Sequence, residues 1–163
     1  MVLHLLRMTD EIAAATSTDR TSLKKIPITK DSPVLRTDFS NEPGWESICA
    51  SIQEPVGDFS AYVDFISDPD FNGLAVEQLL ACVPEDLQDF GHTFVFIVDH
   101  IALTHPDHPI QVVDLYTEPG RVFRVIPSEM WAVQNNLSIA NMDFEDFVDA
   151  VDQDGIFRGF PGS

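Results

Sequence analysis

Residues 93–98 read Thr-Phe-Val-Phe-Ile-Val, an unbroken run of β-branched and aromatic side chains. A strand with one wet face alternates apolar and polar residues. This one does not, so both of its faces must be covered. A chain holding such a strand needs further layers on both sides of its sheet, which points to a three-layer α/β architecture.

The flanking pattern agrees. Pro33–Asp38 reads as a strand, and Asn41 is placed to cap a helix with Pro43 tolerated in its first turn. Trp45, Ile48, Cys49 and Ile52 follow at helical spacing, and Pro55 and Gly57 end the run. Ala61–Ile66 predicts a second strand, Asp68–Gly73 a turn, and Leu74–Val83 a helix stopped by Pro84. Beyond the 93–98 strand the order changes. Ile110–Tyr116 and Arg121–Ile126 predict two strands joined by Thr117-Glu118-Pro119-Gly120, where Pro-Gly suits the centre of a type II turn. Ser128–Asn135 and Met142–Val151 predict two helices, the second capped by Asn141. Ile156–Phe160 predicts an edge strand or a segment docked on the core. The expected fold is α/β: a single three-layer domain over 31–163, with a mixed, mainly parallel sheet and a C-terminal β-hairpin plus two helices.

Residues 1–30 differ from this body. They hold five of the nine basic residues and a Thr/Ser-rich stretch, and they lack sustained apolar periodicity. They read as a flexible leader that the domain can lose without unfolding, and Met8 is a second candidate start. Val2–Leu6 is too short for the apolar part of a secretory signal. No apolar run approaches the roughly 20 residues of a membrane span.

Charge is the next constraint. From Thr37 to Gly120 the chain runs 84 residues without a lysine or arginine and carries sixteen aspartates and glutamates, and the whole chain has a formal charge of −18. Such a surface repels nucleic-acid phosphates and anionic lipid heads, which excludes nucleic-acid and membrane-surface partners. It suits a basic protein or a cationic small molecule. Two cysteines, Cys49 and Cys82, sit in apolar helical patterns and read as buried thiols in a reducing, cytoplasmic setting.

Four constellations are candidates for chemistry. Asp38 and the pair Asp99-His100 directly follow strand-like runs. In open α/β sheets ligands bind outside the carboxyl ends of parallel strands, so these three are the candidate catalytic residues for acid–base or metal-assisted chemistry. The alternative is that the two aspartates cap helices. His100, His105, Asp107 and His108 form a second cluster, but its spacing fits no zinc signature and Pro106 and Pro109 make it a stiff turn. The scarce arginines Arg36, Arg121, Arg124 and Arg158 are either internal ion-pair partners or anchors for an anionic ligand. Finally, Trp131 with Asn135, Asn136 and Asn141 describes either a pocket with a stacking ring or a set of helix caps. Arg36, Trp131, Asn135, Asn136 and Arg158 are thus the candidate ligand-binding residues. The sequence names no cofactor. It contains no glycine-rich phosphate loop, no G-x-S-x-G elbow and no C-x-x-C motif.

Several of these segments also resemble one family. Leu35-Arg36-Thr37-Asp38-Phe39-Ser40, Leu103-Thr104-His105-Pro106-Asp107-His108-Pro109 and Pro127-Ser128-Glu129-Met130-Trp131 are similar to motifs of an uncharacterised, mainly bacterial, domain-of-unknown-function family. So are Asn135-Asn136-Leu137-Ser138-Ile139-Ala140-Asn141-Met142-Asp143-Phe144-Glu145-Asp146-Phe147 and Asp154-Gly155-Ile156-Phe157-Arg158-Gly159-Phe160. The resemblance covers about residues 33–160. It implies one intact domain and carries no assigned activity.

Overall fold

The structure is a computed structural model that describes residues 23–162. Among them the order is β1 (Ser32–Arg36), α1 (Glu42–Gln53), β2 (Val63–Ile66), a 3-10 turn (Pro69–Phe71), α2 (Val76–Cys82), α3 (Leu87–Phe90), β3 (Phe94–Val98), α4 (His100–Thr104), β4 (Ile110–Asp114), β5 (Val122–Val125), a second 3-10 turn (Pro127–Glu129), α5 (Met130–Ser138), α6 (Phe144–Val148) and β6 (Ile156–Phe157). The strands form one mixed sheet in the order β2-β1-β3-β4-β5-β6. β1 lies parallel to both β2 and β3, β4 is antiparallel to β3 and β5, and β6 is parallel to β5.

The 93–98 run behaves as its composition requires. Phe94, Phe96 and Val98 point to one face, and Val95 and Ile97 to the other; all five are buried. On the first face α1 contributes Trp45, Ile48 and Ile52, α5 contributes Met130, Val133 and Leu137, and α6 contributes Phe144 and Phe147. On the second face Leu79 and Cys82 of α2, Phe90 of α3 and Phe71 of the first 3-10 turn cover Leu35, Val95, Ile97 and Val113. Each element therefore supplies the apolar side that one sheet face lacks.

Local chemistry sets the boundaries. Asn41 Oδ1 accepts the Gly44 N–H and starts α1, with Pro43 inside the first turn. Glu118 C=O accepts the Arg121 N–H, and Gly120 adopts φ +94°, so Pro119-Gly120 forms the expected tight turn. Asp114 closes the same loop: its buried carboxylate accepts the N–H groups of Tyr116, Thr117 and Glu118.

Three expectations shift. The helix expected over Met142–Val151 is only Phe144–Val148, because Asp143, not Asn141, sits at its N-cap, with Asp146 accepting the Asp143 N–H. α5 runs on to Ser138, so Asn135 and Asn136 lie inside it; the left-handed residue is Ala140, at φ +54°. The body also begins ahead of Asp31. Most of the expected 1–30 leader lies outside the described residues, but 23–30 are anchored to the body at Lys24 and Ile26. Ile26 is 1% exposed in the second core cluster, its N–H donates to Cys82 C=O, and Lys24 pairs with Asp68.

Ile26 therefore belongs to the core, and Ile26→Ala should cost about 2–4 kcal/mol. Urea unfolding of the two proteins measures this. A difference under about 1 kcal/mol would mean that residues 23–30 lie on the surface without stabilising it.

Candidate functional site

The site is built where β1 and β3 end side by side. Arg36 is in register with Val98, and the Thr37 N–H extends the ladder by donating to Val98 C=O. The chain then leaves the sheet on both strands at once, through Asp38 on one and Asp99-His100 on the other. Parallel neighbours make these departures point the same way.

Asp38 and His100 meet there. Asp38 Oδ2 and His100 Nδ1 are 2.9 Å apart; the carboxylate is 14% exposed and the imidazole 73%. Asp38 Oδ1 accepts from both the N–H (2.8 Å) and the hydroxyl (2.6 Å) of Ser40. The Ser40 hydroxyl is the main reason the Asp38 carboxyl lies below its ordinary value of 3.8; the His100 contact acts in the same direction. With the ring proton on Nδ1, facing the carboxylate, the basic nitrogen of His100 is Nε2. This is the arrangement by which a carboxylate orients a general base.

Asp99 faces elsewhere. It caps α4 by accepting the Ala102 N–H, and both of its oxygens receive Arg124, Oδ1 at 2.9 Å and Oδ2 at 2.6 Å. The helix-cap reading thus holds for Asp99. Asp38 bonds its near neighbour Ser40 instead, and leaves the cap of α1 to Asn41. The remaining histidines also separate: His105 Nδ1 accepts the Asp107 N–H, and His108 Nδ1 contacts Ala102 C=O. No group of three or more His, Cys, Asp or Glu side chains that could hold a metal ion comes together among the described residues.

Arg36 shapes this end of the sheet from below. It is 2% exposed, and its guanidinium lies over Phe39 at 4.3 Å and Trp45 at 5.1 Å. Nε donates to Asp38 C=O, Nη1 to the Ser67 hydroxyl and Nη2 to Glu42. Arg36 thus meets Asp38 through the Asp38 main chain and pairs with the Glu42 carboxylate instead. Arg158 lies beyond β6, held by Asp107, Asp152 and Asp154. Cys49 is half-buried, and burial pushes its thiol up to about 11, which leaves little thiolate at neutral pH.

Trp131 and the asparagines do separate work. Asn135 donates to Ser60 C=O and to Gln134, while Asn136 donates to Ala132 C=O and receives Asn141. The Trp131 ring stacks on Phe59, with centroids 4.4 Å apart and planes at 15°, and its Nε1 is buried without a hydrogen-bond partner.

Sequence reasoning did not reach a cleft of about 280 Å³ at the opposite end of the sheet. It is lined by residues including His92, Phe94, Asp114, Tyr116, Met142 and Phe144. These come from segments far apart in the chain, and no spacing pattern joins them. The nearest signal is Asp114, an acid that directly follows the apolar pair Val112-Val113.

The family described as a domain of unknown function (DUF6924) matches residues 31–160, and the chain belongs to it. No curated protein matches the chain significantly.

Because the Asp38 carboxyl is held down in the folded state, it contributes stability that is full above 3.8 and fades as the pH falls through the lowered value. Asp38→Asn should therefore cost about 1 kcal/mol at neutral pH and nothing in strong acid. Chemical unfolding of both proteins along a pH series measures this; a difference that does not change with pH would show that the charge has no part in it.

Proposed function

We propose that this member of the DUF6924 family is an acidic binding module that draws in a basic protein partner or a cationic ligand. The supporting observation is how the cations are used. Arg36 pairs with Glu42, Arg121 with Glu145 and Glu118, Arg124 with Asp99, and Arg158 with three aspartates. All four arginines that follow residue 30 are thus committed to internal pairs, and the outward carboxylates dominate the field. That field steers a basic partner and speeds encounter. The free thiols Cys49 and Cys82 fit a reducing, cytoplasmic setting. No helix of the described residues is long and apolar enough to cross a membrane.

A second reading rests on the 2.9 Å Asp38–His100 contact. The pair is a general base with its orienting carboxylate, at the sheet end where α/β enzymes bind small molecules. Under this reading Asp38 orients, His100 transfers the proton, and Asp99 positions the loop through Arg124.

The first reading is tested with a capped decalysine peptide, titrated calorimetrically across ionic strength. Affinity should fall by about tenfold or more between low and moderate salt, since exposed pairs are screened within about 8–10 Å. Binding that is insensitive to salt, or absent at low salt, would overturn it. The protein's own unfolding midpoint should move the other way and rise with salt as self-repulsion is screened.

A further inference from the structure

One short loop combines exposed aromatic surface, uncompensated charge and rigidity. Between α1 and β2 the chain forms a tight turn: Val56 and Phe59 exchange both of their backbone hydrogen bonds, and Gly57 takes φ +61°. The turn presents Phe59 at 52% exposure and Tyr62 at 61%, with Val56 beside them at 40%. Exposed aromatic side chains three residues apart on one fixed loop are open to a partner.

The loop is held, not loose. Asn135 donates to Ser60 C=O, and the Tyr62 N–H donates to Gln134 Oε1, so α5 clamps it at two points. Phe59 is further fixed by its stack on Trp131. Rigid aromatic side chains lose little entropy on binding, which is why they serve as anchors. Beneath it the Trp131 Nε1 donor is buried without a hydrogen-bond partner among the described residues.

The charge on the same loop selects the occupant. Glu54 and Asp58 lie on the stretch that leads into Phe59, both exposed, and neither takes part in an ion pair among the described residues. A guanidinium stacks on the open face of an aromatic ring and bonds a carboxylate in the same plane, which an ammonium does less well. We infer that the Phe59–Tyr62 loop is the docking surface for an arginine-bearing segment of a basic protein, with arginine stacked on the rings and paired to Asp58 or Glu54. This rests on the acidic-module reading and gives it a place and a side-chain preference.

The test uses the full chain with capped decaarginine and decalysine peptides, read by calorimetry and by tryptophan fluorescence. Decaarginine should bind at least about fivefold tighter than decalysine and perturb the fluorescence. Phe59→Ala and Tyr62→Ala should each remove that preference, and Asp58→Asn should weaken both peptides. Tyr62→Ala and Asp58→Asn alter exposed side chains, so they keep the test decisive if Phe59→Ala loosens the loop. Equal binding of the two peptides, or variants that bind like the parent, would overturn the inference while leaving the acidic module standing. If the parent binds neither peptide at low salt, both fall together.

Discussion

A single buried guanidinium holds the upper end of the sheet. Arg36 closes β1 and bonds the loops that leave β1 and β2, through Asp38 C=O and Ser67, and the first turn of α1 through Glu42. Its planar face is covered by Phe39 and Trp45. Burying a cation is costly unless its donors are satisfied, and here each nitrogen has an acceptor. Because Nε fixes the Asp38 carbonyl, the Asp38 side chain is left to turn toward Ser40 and His100. The geometry of the candidate acid–base pair is in this sense a by-product of how the arginine is solvated. A lysine could not replace it, since a point charge satisfies neither the three directions nor the stack.

How much of this was legible depends on the range of the forces involved. The 93–98 strand, the Asn41 cap and the Pro119-Gly120 turn follow from local chemistry, and the structure places each as the sequence implies. The convergence of Asp38 and His100 was also legible, because it needs only parallel pairing of the strands they follow. Ile26 was not, since one isoleucine in a polar segment carries no periodicity, and its burial depends on a bond to Cys82 far along the chain. Nor was the stacking of Phe59 on Trp131. Asn135 and Asn136 read either as pocket-lining amides or as caps; in α5 their amides instead bond Ser60 and Ala132.

The two functional readings draw on the same electrostatics. Each arginine spent inside the fold fixes a loop: Arg124 positions Asp99 at the start of α4, and Arg158 gathers three acids around the end of the sheet. What remains outside is carboxylate. The net acidity of the surface is what is left after the cations have been committed to architecture. In the proposed docking surface, the Phe59–Tyr62 loop would add the apolar contact that a field alone does not provide.

The position of β1 has a consequence for how the chain reaches this state. Among the described residues the first strand in sequence lies inside the sheet, between β2 and β3, and residues that meet across its pairing with β3 are far apart, as with Asp38 and His100 at 62 positions. The hydroxyl of Ser32 at its start is bonded by Gln134, 102 positions away. Loop-closure entropy must be met before such contacts reward it, so β1 is committed early in synthesis and completed late. Until β3 arrives, Val34 and Leu35 form an apolar strand with an open edge. A nascent chain of this protein thus carries an apolar strand with an unpaired edge until β3 has been made, and residues 1–40, with six Lys and Arg against five Asp and Glu, supply little net charge to keep unfinished copies apart.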